Sequence, residues 1–176
     1  MKAYLQSGNF SEIKAIDDTQ SIHITKEVRD RCADNYCGFY GKNYMCPPAV
    51  GDLEYYRELI LTYPKGLLFS KIYSLKNKYD HKGMIKSGLE FREEIQKISE
   101  AAKAEHFDYL FFTAGTCSIC ETCAILSAEP CRFPDETMPS LEASGIDVVT
   151  LSRDLGMTYN NGSNKVTYFG LVLYRD

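Results

Sequence analysis

Apolar and polar positions along this chain fall into blocks whose period switches between helical and extended. Asp52 stands ahead of Leu53, Tyr56, Ile60 and Tyr63, which share one helical face, and Pro64 follows as a stop, so the spacing predicts a capped helix over 52–63. Residues 67–75, LLFSKIYSL, are rich in apolar, aromatic and β-branched side chains between Gly66 and the polar KNKYDHKG, which predicts a strand and then a loop. From Met84 to His106 the set Met84, Phe91, Ile95, Ile98 and Ala102 recurs on one face, with Glu90, Glu93, Glu94 and Lys97 mostly outside it. That is an amphipathic helix. His106 at its end suits the helix dipole as a capping cation. DYLFFTA, 108–114, reads as a buried strand. Pro139–Ser144 and Val148–Leu155 read as two short helices closed by Gly145 and Gly156. Asn161-Gly162 signals a turn into VTYFGLVLY, a last strand over 166–174.

This order predicts an α/β fold: one domain over residues 1–176, with a small mixed sheet, flanking helices and two cysteine-bearing loops. The first two predicted strands are expected to run parallel through a helical crossover. A chain of 176 residues buries enough apolar surface to stand without covalent staples. Its seven cysteines are an odd number, and it starts with the polar MKAYLQSGNFSEIKAIDD. Both features suggest a reducing cytoplasm, where clustered cysteines serve as metal ligands or reactive thiols more often than as disulfides. Twenty basic and 24 acidic side chains are mixed along the chain for a net charge of -4. No basic footprint for nucleic acid is present, and no apolar run reaches membrane-spanning length.

The densest chemistry lies in GTCSICETCAILSAEPCRFP, residues 115–134. Cys117, Cys120 and Cys123 are spaced by three, and Cys131 follows after seven intervening residues. Three thiolates at this step let one loop wrap an inorganic core while the fourth arrives from the following segment, the ligation principle of a 4Fe-4S cluster. Ferredoxins use the same triplet with a shorter last gap. Zinc is the alternative, although structural zinc sites more often pair two separated CxxC knuckles and leave a third evenly spaced cysteine without a role. Thr122 and Arg132 are candidate donors to cluster sulfur; for Arg132 an ion pair with Asp135 or Glu136 is the plainer reading.

A second set, Cys32, Cys37 and Cys46, lies in RCADNYCGFYGKNYMCPPAVGD. Glycines, tyrosines and the Pro47-Pro48 pair suit an irregular loop that can gather sulfurs around one point. Three cysteines leave a second cluster or metal ion one ligand short, to be completed by His23, by solvent or substrate, or by a shared cysteine. Catalytic metal sites keep such an open position. Buried free cysteines, which pack as small hydrophobes, are the alternative. Tyr36, Tyr40 and Tyr44 flank this loop as possible shields from water, or as ordinary packing.

Together, CxxxxC followed by FYGKNYMCPP, and CxxCxxC followed by CRFP and PSLEASGIDV, resemble a domain-of-unknown-function family of predicted metal-binding proteins. The likeness runs from about Val28 to the C-terminus. It implies cysteine-bound metal at Cys32, Cys37, Cys46, Cys117, Cys120, Cys123 and Cys131, flanked by Pro47, Pro48, Arg132 and Pro134, and it attaches no reaction.

Elsewhere, His23, His81 and His106 show no paired-ligand spacing, and hydrolase, P-loop and Rossmann signatures are missing. Lys42, Lys65 and Lys71 read as scattered solvated cations or as contacts for an anion. The expectation is an iron–sulfur protein that transfers electrons or delivers metal or sulfur, with a redox enzyme or a second copy of the chain as partner. A metalloenzyme using the three-cysteine site and a structural-zinc interaction module are the alternatives.

Overall fold

Two ten-residue strands, Lys65–Ser74 and Lys165–Tyr174, pair antiparallel along their whole length, from Lys65 opposite Tyr174 to Ser74 opposite Lys165. The computed structural model that contains them describes residues 1–105 and 107–175. In chain order its elements are α1 (Lys2–Ser7), β1 (Glu12–Ile16), α2 (Lys26–Asp30), α3 (Leu53–Leu61), β2 (Lys65–Ser74), α4 (His81–Ala104), β3 (Tyr109–Phe112), α5 (Val148–Asp154) and β4 (Lys165–Tyr174), joined by short 3-10 turns and irregular loops. The sheet order is β1-β2-β4-β3.

The expected α/β fold is what the chain forms, and each neighbouring pair in the sheet is antiparallel. β2 and β3 do run the same way, as expected of strands joined by a helix, but β4 lies between them and pairs with both. Sequence spacing says nothing about which strand fills such a gap. β1 was not anticipated: only Ile16 of EIKAI is buried, too weak an alternation to read.

Side chains alternate across a strand, and here both faces are covered. On one face Leu68, Phe112, Phe169, Leu171 and Leu173 pack with Tyr56 and Ile60 of α3 and Val148 and Leu151 of α5. On the other, Leu67, Phe69, Phe111 and Val172 meet Leu5 of α1 and Phe91, Ile95 and Ile98 of α4. Each fully buried side chain of this size contributes about 1.5–3 kcal/mol. Helix starts follow the cap rules: Asp52, Asp80 and Asp147 each accept a backbone N–H of the first turn. Asp80 sets the long helix three residues earlier than the apolar face alone suggests, and its expected end at His106 falls outside the described residues.

The expected helix over 139–144 does not form. Pro139 and Ser140 are drawn out beside Thr113, whose N–H donates to the Pro139 carbonyl and whose own carbonyl accepts from Leu141. What remains is a single turn, closed by Gly145 at φ +79°. The neighbouring expected helix is α5.

Gly170 sits opposite Phe69 in the β2–β4 register, and a Cβ there would stand 2.5 Å from the Phe69 ring. Gly170→Ala is therefore expected to destabilise the fold by about 1–3 kcal/mol in urea unfolding, the usual cost of overpacking.

Candidate metal centre

β3 ends at Phe112, and the segment beyond it carries Thr113, Gly115 at φ +76° and then the cysteine run. Between Gly115 and Pro134 the backbone forms only a short 3-10 turn, Ala124–Ser127, so the loop is held by side chains. Arg92 of α4 donates from Nε to Ser118 Oγ and from Nη1 to the Ala114 carbonyl, both at 3.1 Å. Arg132 donates from Nη1 to the Thr122 carbonyl at 3.0 Å and lies 3.8 Å from Glu129. The ion pair of Arg132 is thus with Glu129, three residues before it, and not with Asp135 or Glu136.

Cys117, Cys120, Cys123 and Cys131 all line one cavity of about 20 Å³, whose other walls include Asn43, Tyr44, Met45 and Phe133. All seven cysteines are free; Cys46 is buried, Cys37 exposed and the other five intermediate. Burial pushes the Cys117 thiol up; the Ile119 N–H works against it, and Cys123, Cys120 and Cys131 add to the upward push. Cys117 is thus close enough to the other three sulfurs to sense their charge. Among the described residues, however, no three Cys, His, Asp or Glu side chains stand at distances suited to a single metal ion.

The two sets adjoin. Asn43, buried, donates from Nδ2 to Cys46 Sγ at 3.1 Å and to Thr116 Oγ1 at 2.6 Å, and Thr116 Oγ1 lies 3.7 Å from the same sulfur. One amide therefore joins a cysteine of the first set to the residue preceding Cys117. Tyr44 reinforces the junction by donating to the Glu129 carbonyl at 2.6 Å. Sequence reasoning noted Tyr44 as a shield for its own loop, yet it walls the other set's cavity; Tyr36, 94% exposed, shields nothing. Asn43, Met45 and Thr116 were missed, and their only signal was adjacency to Cys46 and Cys117.

In the first set, burial pushes the Cys32 thiol up, Glu142 and Cys46 act in the same direction, Arg29 opposes them, and Cys37 adds a smaller upward push. Arg29 Nη2 donates to the Gly51 carbonyl, while its buried Nη1 has no hydrogen-bond partner among the described residues. His23, a candidate fourth ligand, is exposed and has Nε2 3.0 Å from Asp154. The carboxylate acting on Cys32 is instead Glu142, on the turn that PSLEASGIDV forms. Burial raises its pKa, with its own backbone N–H and Ser140 pulling the other way. Lys71 pairs with Glu94 between β2 and α4, which gives it a structural partner in place of an external anion.

Two adjoining loops thus gather free thiols at one end of an α/β fold, one set of four around a cavity and one of three beside a carboxylate. A family model for predicted metal-binding proteins, DUF2284, matches residues 15–174, and the chain belongs to that family. The match begins earlier than the cysteine motifs and takes in most of the sheet. No curated protein and no solved structure matches the chain. Among the described residues no helix is long and apolar enough to cross a membrane.

Asn43→Ala removes both amide N–H bonds and the one that its Oδ1 accepts from the Met45 N–H. It is expected to cost roughly 1–3 kcal/mol of stability and to speed hydrogen exchange of amides in 115–134, read by mass spectrometry.

Proposed function

We propose that this protein binds an iron–sulfur cluster through Cys117, Cys120, Cys123 and Cys131 and serves as an electron carrier or as a donor of metal or sulfur to a partner enzyme. The observation that carries the reading is the lining of one cavity by all four thiols. Their step of three, with a fourth ligand from the next segment, is the pattern that wraps an inorganic core. The donor set fits: four free thiols, no disulfide, and a loop with little regular structure to resist rearrangement. The cavity, about 20 Å³, has room for about one water, so a cubane requires the 115–134 loop to open around it. That volume favours the zinc alternative, in which a single tetrahedral ion draws the same four sulfurs closer together than they now stand.

Cys32, Cys37 and Cys46 are suited to a second centre, with Glu142 as the carboxylate at hand. Its support is Arg29 Nη1, a buried donor lacking a partner beside Cys32. Metal–thiolate groups are anionic and accept such bonds, which tune the centre. Three thiols leave one position open to an outside ligand, and any chemistry on substrate belongs here.

Purified without oxygen, the protein is expected to be brown, to bleach reversibly with dithionite and to hold iron and acid-labile sulfide in equal amounts. Stoichiometric zinc in a colourless protein would overturn the cluster reading. Cys120→Ser is expected to remove most of the iron from the four-thiol site, whereas Cys37→Ser leaves it in place. Ligation requires thiolates, so uptake releases protons and apparent affinity rises with pH over the range in which the thiols ionise. Titration with metal in weakly buffered solution measures this release, and uptake without protons would contradict thiolate ligation.

A further inference from the structure

A cleft of about 360 Å³ opens between α4 and the segments 113–119 and 136–138, within the range of small-ligand sites, roughly 300–1,000 Å³. It shares Cys117 and Ile119 with the four-thiol cavity. Thr113 lines it, 3% exposed, and its buried Oγ1 has no hydrogen-bond partner among the described residues. A buried hydroxyl in that condition costs free energy unless a ligand or water meets it.

Arg92 lines the same cleft, half-buried, and the bonds that hold it go to the neutral oxygens of Ser118 and Ala114. Its charge is therefore oriented without being neutralised by a carboxylate. Glu93, Glu100 and Glu136, with Lys97, are exposed cleft residues and largely screened by solvent. Met138 and Ile119 supply apolar walls.

We propose that this cleft binds a small organic carboxylate, with its acid group at Arg92 and Thr113 and its apolar body along Met138 and Ile119. Guanidinium matches the planar carboxylate in a fork of hydrogen bonds, and the Thr113 hydroxyl, withdrawn from solvent and unpartnered among the described residues, supplies a further donor when its side chain turns towards the ligand. A monoanion is favoured over a dianion because Arg92 is the half-buried cation of the cleft and the other, Lys97, is exposed to solvent. Bound there, the molecule lies against Cys117, so the site that holds metal and the site that holds the organic acid share a wall. The inference rests on the cleft alone and holds whichever metal the cysteines take.

The test uses three probes of one shape, phenylpropionate, phenylpropionamide and phenylpropylamine, titrated calorimetrically into the purified protein and into Thr113→Val. The acid is expected to bind at least about tenfold more tightly than the amide and the amine, and Thr113→Val to weaken it about fivefold, the size of one lost hydrogen bond. Equal binding of acid and amide, preference for the amine, or no binding of any probe at millimolar concentration would each overturn the proposal. Unchanged acid binding by a folded Thr113→Val would do the same. Should that variant fail to fold, the comparison of probes on the unaltered protein still decides.

Discussion

Leu67, Leu68 and Phe69 are withdrawn from water on alternating faces of the sheet, and Leu171, Val172 and Leu173 of the neighbouring strand are withdrawn with them. This two-sided burial of β2 and β4 is the constraint on which the rest depends. It requires α4 and α1 on one face and α3 and α5 on the other, and it demands that Gly170 stay small so that the Phe69 ring can lie across it. Because the sheet is secured in this way, the cysteine loops need contribute little to the core. They are free to keep irregular backbone, with Cys46 buried and most of the other thiols partly exposed.

The loops are nonetheless positioned. Arg92 ties the Ala114–Ser118 segment to the long helix, and Asn43 links Cys46 to Thr116. Both are polar side chains with their hydrogen bonds directed at loop atoms, an economical way to locate a segment with few backbone bonds of its own. Of the thiols, Cys117 is pushed towards the protonated form by burial and by its neighbours Cys123, Cys120 and Cys131, and Cys32 by burial, Glu142 and Cys46. A bound cation reverses that balance, since it both displaces the protons and cancels the mutual repulsion.

Much of this was legible in the residue pattern. The amphipathic run through Phe91, Ile95, Ile98 and Ala102 announced the long helix, and LLFSKIYSL and VTYFGLVLY announced the two long strands, because burial imposes a period on the sequence. Pairing order was not legible: nothing in the β4 stretch says that it slots between strands joined by a helix. The segment 139–144 misled because its local preference is helical, whereas pairing with Thr113 draws its start into extended backbone. At the site, the seven cysteines stood out by spacing, yet the placing of their two loops against each other and against the long helix depends on Asn43, Thr116 and Arg92, and the carboxylate near Cys32 is Glu142. Asn43, Thr116 and Glu142 lie within the motif stretches, but nothing in their spacing says which sulfur each one faces, and Arg92 lies outside them altogether. Likewise Thr113 is an ordinary strand-end residue until its neighbours leave the hydroxyl without a partner.

The central claim is that Cys117, Cys120, Cys123 and Cys131 meet around one iron–sulfur core. X-ray absorption at the iron edge of anaerobically loaded protein tests it most directly. The account predicts an all-sulfur first shell with iron–iron scattering behind it, and the loss of the iron bound by the four-thiol site when Cys117, Cys120 and Cys123 are together replaced by serine. A shell of oxygen or nitrogen neighbours with no iron–iron contribution, or a spectrum unchanged by that triple replacement, would contradict it.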